Sequence, residues 1–363
     1  MTEAQELGLL RDEIDALDQQ IQTLINQRAE CAQRVAHVKQ KYAKPGAQIQ
    51  FYRPEREAQV LRKVMERNSG PIGNEDMARL FREIMSVCLA LEEPLQVAFL
   101  GPEGTFTQAA AVKHFGHAVK CTSMTSIPDV FREVESGAAN YGVVPVENST
   151  EGVVTHTLDS FVASQIKICG EVALRIHHHF LVKNPQSVIH KIYSHPQSLA
   201  QCRQWLDAHW PGVERVPVSS NAEAARRASL EANSAAIAGD AARDLYGLSA
   251  LSANIEDMPD NTTRFLIIGR DATDISGDDK TSIMVSSRNQ PGALYHVLEP
   301  FHKMGISLTR LETRPSRSGA WNYVFFIDFE GHAKSPEIQN LLQVLSETAS
   351  EIKLLGSYPK AVL

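Results

Sequence analysis

Arg28 is the first residue whose position calls for chemistry. It shares one helical stripe with Ile21, Leu24, Cys31 and Val35, so a guanidinium stands where the pattern otherwise places apolar side chains, and a buried cation needs an anionic partner. Lys39 lies eleven residues on, roughly three helical turns, and projects from nearly the same face. Arg11 is turned well away from Arg28 at about 100° per residue, so in a pair of such helices it can reach a site in the second copy. Two readings fit these cations: neutralisation by a core carboxylate, or capture of an acidic ligand. A second set of residues lies downstream, at 101–107 (GPEGTFT), 145–152 (PVENSTEG), 194–197 (SHPQ), Gln201, and Asn261-Thr262-Thr263-Arg264-Phe265. Each falls at a strand–helix junction or just ahead of a strand, where amides and hydroxyls can hold a carboxylate at a helix N-terminus. Each alone is also compatible with an ordinary capped turn. His177-His178-His179 has the residue type of a metal site, but neighbours in an extended segment face opposite ways and do not converge on one ion, so no metal is expected. His195 beside Ser194 could pair a base with a nucleophile; a positioning role is the preferred reading.

Three different patterns must position these residues. From Leu7 the apolar positions step by threes and fours through Leu10, Ile14, Leu17, Ile21 and Leu24 to Val35 and Val38, predicting a helix over 7–41 about 50 Å long. A stripe of that length outruns a small domain and predicts a dimer. Pro45-Gly46 ends the helix, Pro54 suits the first turn of a second, and Asn74 with Glu75 and Asp76 reads as cap and first turn of a third, closed by Pro94. After Pro94, short apolar runs at 97–100, 142–144, 191–193, 235–237 and 265–268 alternate with helical stretches, which implies α/β layers with ligands beyond the strand ends. Residues 270–280 are polar and acidic and read as a linker. Beyond them a βαββαβ order follows, with strands near 282–286, 306–313, 323–329 and 352–355 and helices over 292–304 and 336–348: a ferredoxin-like unit. The expected division is an all-α domain at 1–93, an α/β domain at 95–271 and the ferredoxin-like domain at 280–363.

Bulk properties narrow the function. The 363 residues are 43% hydrophobic and carry a net charge of -7, which suits several packed domains and leaves no basic excess for nucleic acid. Residues 1–6 have neither a basic nor an apolar signal region, no run approaches a membrane span, and the five cysteines form no Cys-x-x-Cys pair, so a cytoplasmic protein with free thiols is expected.

Arg11, Arg28, Lys39 and the Arg56-Glu57 pair, on three helices of this length, resemble the helical class of chorismate mutases over roughly residues 5–93. The resemblance implies that Arg28 and Arg56, with Arg53 in the same binding set and Arg11 from the second copy, hold the two carboxylates of chorismate, that Lys39 faces the ether oxygen and that Glu57 takes the ring hydroxyl. It also implies a role for Glu92, where the family often has glutamine as a donor, and for Cys88, where serine is common. A carboxylate cannot donate a hydrogen bond, so Glu92 is expected to work protonated and mutase activity to rise on acidification.

Residues 95–270 closely resemble prephenate dehydratases, with several separate motifs in family order. The implied fold is two α/β lobes around a cleft, similar to periplasmic binding proteins. Thr263 is the implied proton donor to the leaving hydroxyl, with Asn148, Ser194 and Gln201 binding substrate and Thr105, Thr107, Ser149, Arg264 and Phe265 in the same set; no cofactor is implied. Asn289, Pro291, Gly292, Ala293 and Leu294, with Glu312, Thr313, Arg314 and Pro315, resemble the two phenylalanine-binding motifs of ACT regulatory domains, with Thr313 where serine is usual. Phenylalanine is then expected to bind between paired ACT copies and to inhibit the dehydratase. A rival reading, a two-lobed sensor that binds an amino or keto acid without turnover, is opposed by the Thr263-Arg264-Phe265 motif. Arogenate is a possible alternative substrate, and the attached mutase favours prephenate.

Overall fold

The structure is a computed structural model that describes residues 2–44, 50–287, 290–315 and 323–363. The N-terminal region is helical: α1 (Glu3–Tyr42), α2 (Pro54–Arg67) and α3 (Asn74–Ala90). Acidic Glu3 and Glu6 in the first turn of α1 and Lys39 and Lys41 in the last oppose its dipole favourably. Ala36 is the one buried residue of α1; Leu10, Ile14 and Leu24 are 55%, 55% and 63% exposed. Pro54 opens α2, where its missing N–H costs nothing. The cap of α3 is Gly73, and Asn74 is already helical, its side chain accepting from Asn68 Nδ2 at 2.9 Å; the helix ends at Ala90, ahead of Pro94.

The middle region is two lobes. In the first, β2 (Lys120–Met124), β1 (Gln96–Leu100), β3 (Tyr141–Asn148), β11 (Thr262–Gly269) and β5 (Lys167–Arg175) lie in that order, with β4 (Gly152–Val153) on β3 and helices α4 (Phe106–Phe115), α5 (Ile127–Ser136) and α6 (Thr155–Ala163). In the second the order is β10 (Ser249–Ser252), β6 (His179–Val182), β9 (Ser234–Ala238), β7 (Lys191–Ser194) and β8 (Glu214–Pro217), with α7 (Pro196–Gln201), α8 (Arg203–His209), α9 (Asn221–Leu230) and α10 (Asp240–Tyr246). The expected apolar runs all lie within strands, and the chain crosses between lobes after β5 and again before β11. Two glycines permit close approach of the lobes. A Cβ on Gly104, whose φ is +81°, would meet the Ala242 backbone at 3.2 Å, and one on Gly239 would meet the Phe106 ring at 2.6 Å.

The C-terminal region is β12 (Asp279–Ser287), α11 (Ala293–Lys303), β13 (Leu308–Pro315), β14 (Tyr323–Glu330), α12 (Pro336–Thr348) and β15 (Glu351–Pro359), an antiparallel sheet in the order β13-β14-β12-β15. Strand alternation divides its residues between two cores. Ile283, Val285, Phe325 and Ile327 pack under α11 and α12, while Met284, Val324, Phe326 and Tyr358 join Val130, Phe161, Ile168 and Leu266 of the first lobe. The sheet therefore lies face-on against the lobe, so closely that a Cβ on Gly356 would overlap the Ile168 carbonyl. The polar segment before it is anchored rather than loose: Thr273, Ser276 and Asp279 are buried, Arg62 of α2 donates to the Ser276 and Asp278 carbonyls, and Asp274 takes Arg53 and Lys334. No described helix is long and apolar enough to cross a membrane.

Candidate active sites

The first cleft, about 360 Å³, opens between the three helices and is lined by Arg28, Lys39, Arg53, Arg56, Glu57, Cys88 and Glu92, with Phe115 contributed from α4. Lys39 Nζ donates to the carbonyls of Gln50 (3.2 Å) and Phe51 (3.0 Å), and burial lowers its pKa. Arg53 is tied to Glu55 and Asp274, both at 2.7 Å. Glu92 Oε2 is buried with no hydrogen-bond partner among the described residues; burial raises the pKa of this carboxyl against the pull of Lys39 and then Arg28. Glu57 accepts from Arg82 Nε at 3.2 Å, and Arg82 also donates to the Lys113 carbonyl of α4 at 2.8 Å. Burial raises the Glu57 pKa, while Arg82 and the Tyr52 hydroxyl oppose it. Tyr52 in turn contacts His114 Nε2 at 3.1 Å and packs edge-on to Tyr141, so the α/β region braces this cleft. Such a ring of cations can hold a dicarboxylate in a folded conformer and stabilise negative charge developing on an ether oxygen. Arg11 is exposed far up α1, outside this lining.

The second cleft, about 230 Å³, lies between the lobes, and among the described residues no lysine or arginine lines it. The starts of α4, α7 and α9 meet there, bringing Thr105, Thr107, His195, Gln197, Ser220 and Asn221. Strands β3 and β11 bring Asn148 and Thr263, which are direct register partners. Asn148 Nδ2 donates to Thr263 Oγ1 and to Asn261 Oδ1, each at 2.8 Å. Gln201 Oε1 accepts from His178 Nε2 (2.9 Å) and Asn261 Nδ2 (3.2 Å). That bond leaves His178 Nδ1 as a buried lone pair without a partner among the described residues, and burial lowers the ring's pKa. Burial likewise lowers the pKa of His195. The site places amide and hydroxyl groups around Thr263, whose hydroxyl accepts from Asn148 Nδ2 and whose proton no described acceptor takes.

In the C-terminal sheet, Ser287 and Pro315 both pair with Tyr323, so the start of α11 and the end of β13 lie at one end of the sheet. Gly292 caps α11, which Ala293 and Leu294 open, and Glu312, Thr313, Arg314 and Pro315 end β13; Asn289 lies outside the described residues.

Residues 10–93 match the chorismate mutase type II family, residues 97–273 the prephenate dehydratase family and residues 281–347 the ACT domain family. A bifunctional chorismate mutase/prephenate dehydratase of Stutzerimonas stutzeri is 63% identical over 365 residues, covering 100% of both chains. The chain belongs to that bifunctional family. It carries a chorismate mutase, a prephenate dehydratase and an ACT domain, in that order. Among solved structures, a prephenate dehydratase in complex with L-Phe from Arthrobacter aurescens is 33% identical with a TM-score of 0.68, covering 73% of this chain and 90% of that one. GqqA, described as a novel type of quorum quenching acylase, is 28% identical with a TM-score of 0.67, covering 74% and 98%.

Several residues expected in the dehydratase site lie elsewhere. Ser194 is fully buried behind the cleft, its hydroxyl donating to the Ile237 carbonyl (2.9 Å) and near Asn221 Oδ1 (3.0 Å), so the serine–histidine pair that acyl chemistry would use is not formed. Ser149 accepts from the Thr262 N–H at 3.0 Å and clips the strand start. Phe265 is buried in the first-lobe core with Phe99 and Phe115. Arg264 alternates with Thr263 and so faces the opposite side of β11, where it meets Glu171 (2.8 Å), Asp328 (2.6 Å) and the Tyr358 hydroxyl (3.0 Å) of the ACT face. Conversely, His178, Asn221 and Asn261 line the cleft without having been singled out as binding residues. Asn261 had a signal, two residues before Thr263; His178 was hidden in a histidine run read only for metal. The run does diverge: His177 goes to Glu256 and His178 to Gln201.

Proposed function

We propose that Arg28, Lys39, Arg53 and Arg56 hold chorismate folded for its Claisen rearrangement, with Lys39 and protonated Glu92 facing the ether oxygen. Because that rearrangement moves electrons without gaining or losing an atom, it needs shape and positive charge and no nucleophile. Arg11 enters from a second copy. Burying the exposed Leu/Ile stripe of α1 against its counterpart is worth roughly 1.5–3 kcal/mol per side chain, enough to make the homodimer the stable form.

In the second step, Thr263 gives its proton to the leaving hydroxyl of prephenate as the carbon–carboxylate bond breaks and its electron pair enters the ring. Water and carbon dioxide leave, phenylpyruvate remains, and solvent restores the Thr263 proton. The observation that carries this assignment is the 2.8 Å bond from Asn148 to Thr263 Oγ1, which occupies an acceptor lone pair and leaves the hydroxyl proton free for the cleft. His178 Nδ1 and the second N–H of Asn261 orient the substrate, Asn148 holds Thr263 in place, and the interlobe position of the cleft limits water. Phenylalanine binds between paired ACT domains at the α11 start and β13 end and lowers dehydratase activity, and the enzyme works in the cytoplasm.

Supplying chorismate to the purified full chain tests this. Prephenate should appear first and phenylpyruvate second, with only the second step slowed by phenylalanine. A chain that consumes chorismate but never forms phenylpyruvate would remove the dehydratase assignment.

A further inference from the structure

Arg264 and Glu147 each stand one residue from a dehydratase site residue, Thr263 and Asn148, on two strands paired in register. Both reach across to the ACT sheet. Arg264 meets Asp328 of β14 at 2.6 Å and Tyr358 of β15 at 3.0 Å, and Asp328 also accepts from Ser282 Oγ at 2.6 Å. Glu147 faces Arg310 of β13 at 3.4 Å. Asp328 and Arg310 are themselves register partners, so the two contacts land side by side. They differ in quality. The Arg264 cluster is saturated, with Glu171 as a further carboxylate, whereas Arg310 is 8% exposed at its side chain and its Nε and Nη2 have no hydrogen-bond partner among the described residues. A buried guanidinium with two nitrogens unpaired among the described residues and a loose 3.4 Å ion pair is costly and is rearranged by a small shift of its strand. That strand, β13, ends at Arg314 and Pro315 of the phenylalanine motif, and Arg314 also pairs with Asp159 of α6 at 3.1 Å.

We propose that Arg264 and Glu147 are positioning residues through which the ACT sheet of the same subunit holds Thr263 and Asn148 in place, and that phenylalanine inhibits by shifting β13 and loosening this grip. The inference rests on the reading of the ACT domain as a phenylalanine sensor. It makes the sheet a structural part of the dehydratase site, with a short path for the signal: β13 to Arg310 and Asp328, then to Glu147 and Arg264, then one residue along each strand.

The test uses the full chain with Asp328→Asn and, separately, Arg310→Gln, following dehydratase kcat and KM, mutase activity and, by calorimetry, phenylalanine binding. Mutase activity and phenylalanine affinity should stay at wild-type values. Dehydratase kcat should fall several-fold with little change in KM, and the phenylalanine concentration for half-inhibition should rise about tenfold or more, the scale of a lost coupling between two sites. Wild-type inhibition curves in both variants, with phenylalanine bound normally, would overturn the proposal. If Asp328→Asn loses mutase activity as well, it has lost its fold, and Arg310→Gln decides alone. A wild-type chain that neither binds phenylalanine nor is inhibited by it would instead remove the sensor reading itself.

Discussion

Chorismate and prephenate are both dicarboxylates, yet the two clefts proposed for them are lined with different materials. In the mutase, Arg28, Lys39, Arg53 and Arg56 converge on one space, and the helix that carries two of them leaves most of its apolar stripe uncovered. In the dehydratase no described lysine or arginine lines the cleft; helix starts, amides and hydroxyls do so, fixed by strands whose registers run through both neighbours. A three-helix region has few backbone groups to spare, since its amides are consumed along each helix, so charge must come from side chains. An α/β lobe gathers free N–H groups at strand–helix junctions and can bind an anion without a full charge. The lesson is that substrate charge alone does not dictate a basic site.

Four experiments sharpen or break that contrast. The largest effect is expected from Thr263→Ala, which should lower dehydratase kcat by about 10²–10⁴-fold, the range of general acid catalysis, while chorismate is still consumed and prephenate accumulates. Arg28→Ala should cost the mutase about 10²-fold, the scale for a misplaced substrate, and leave phenylpyruvate formation from added prephenate intact. The third concerns pH. Burial raises the pKa of Glu92, the carboxyl donates only below that pKa, and so mutase activity should fall as pH rises through it, by about tenfold per unit beyond. Glu92→Gln should flatten the profile; a wild-type rate that stays constant from acid to neutral pH removes Glu92 as the donor. The smallest effect is on salt. Screening should raise the mutase KM several-fold between about 0.05 and 0.5 M salt and the dehydratase KM less. Equal salt dependence of the two would end the contrast.

The fusion also joins the sites more than three separate patterns suggest. Glu57 of the mutase is held by Arg82, which is held by the Lys113 carbonyl of the dehydratase, and Phe115 lines the mutase cleft. No periodicity in residues 1–93 announces such a brace, because its partners lie 25 and 31 residues away from Arg82 on other helices.

Legible in the sequence alone were the division into three regions, the long apolar stripe of α1, five of the middle-region strands, the βαββαβ unit, and the grouping of Asn148, Gln201 and Thr263. These follow from local rules: the period of apolar residues, Pro and Gly as punctuation, and the rule that strand–helix junctions collect at one edge of a sheet. Which way the side chains of one motif face is visible only in the folded chain. Thr263, Arg264 and Phe265 read as one unit, yet one faces the cleft, one the ACT sheet and one the core. A strand buried on both faces has no polar side to betray its orientation, so what Arg264 touches is set by a sheet 64 residues further along the chain.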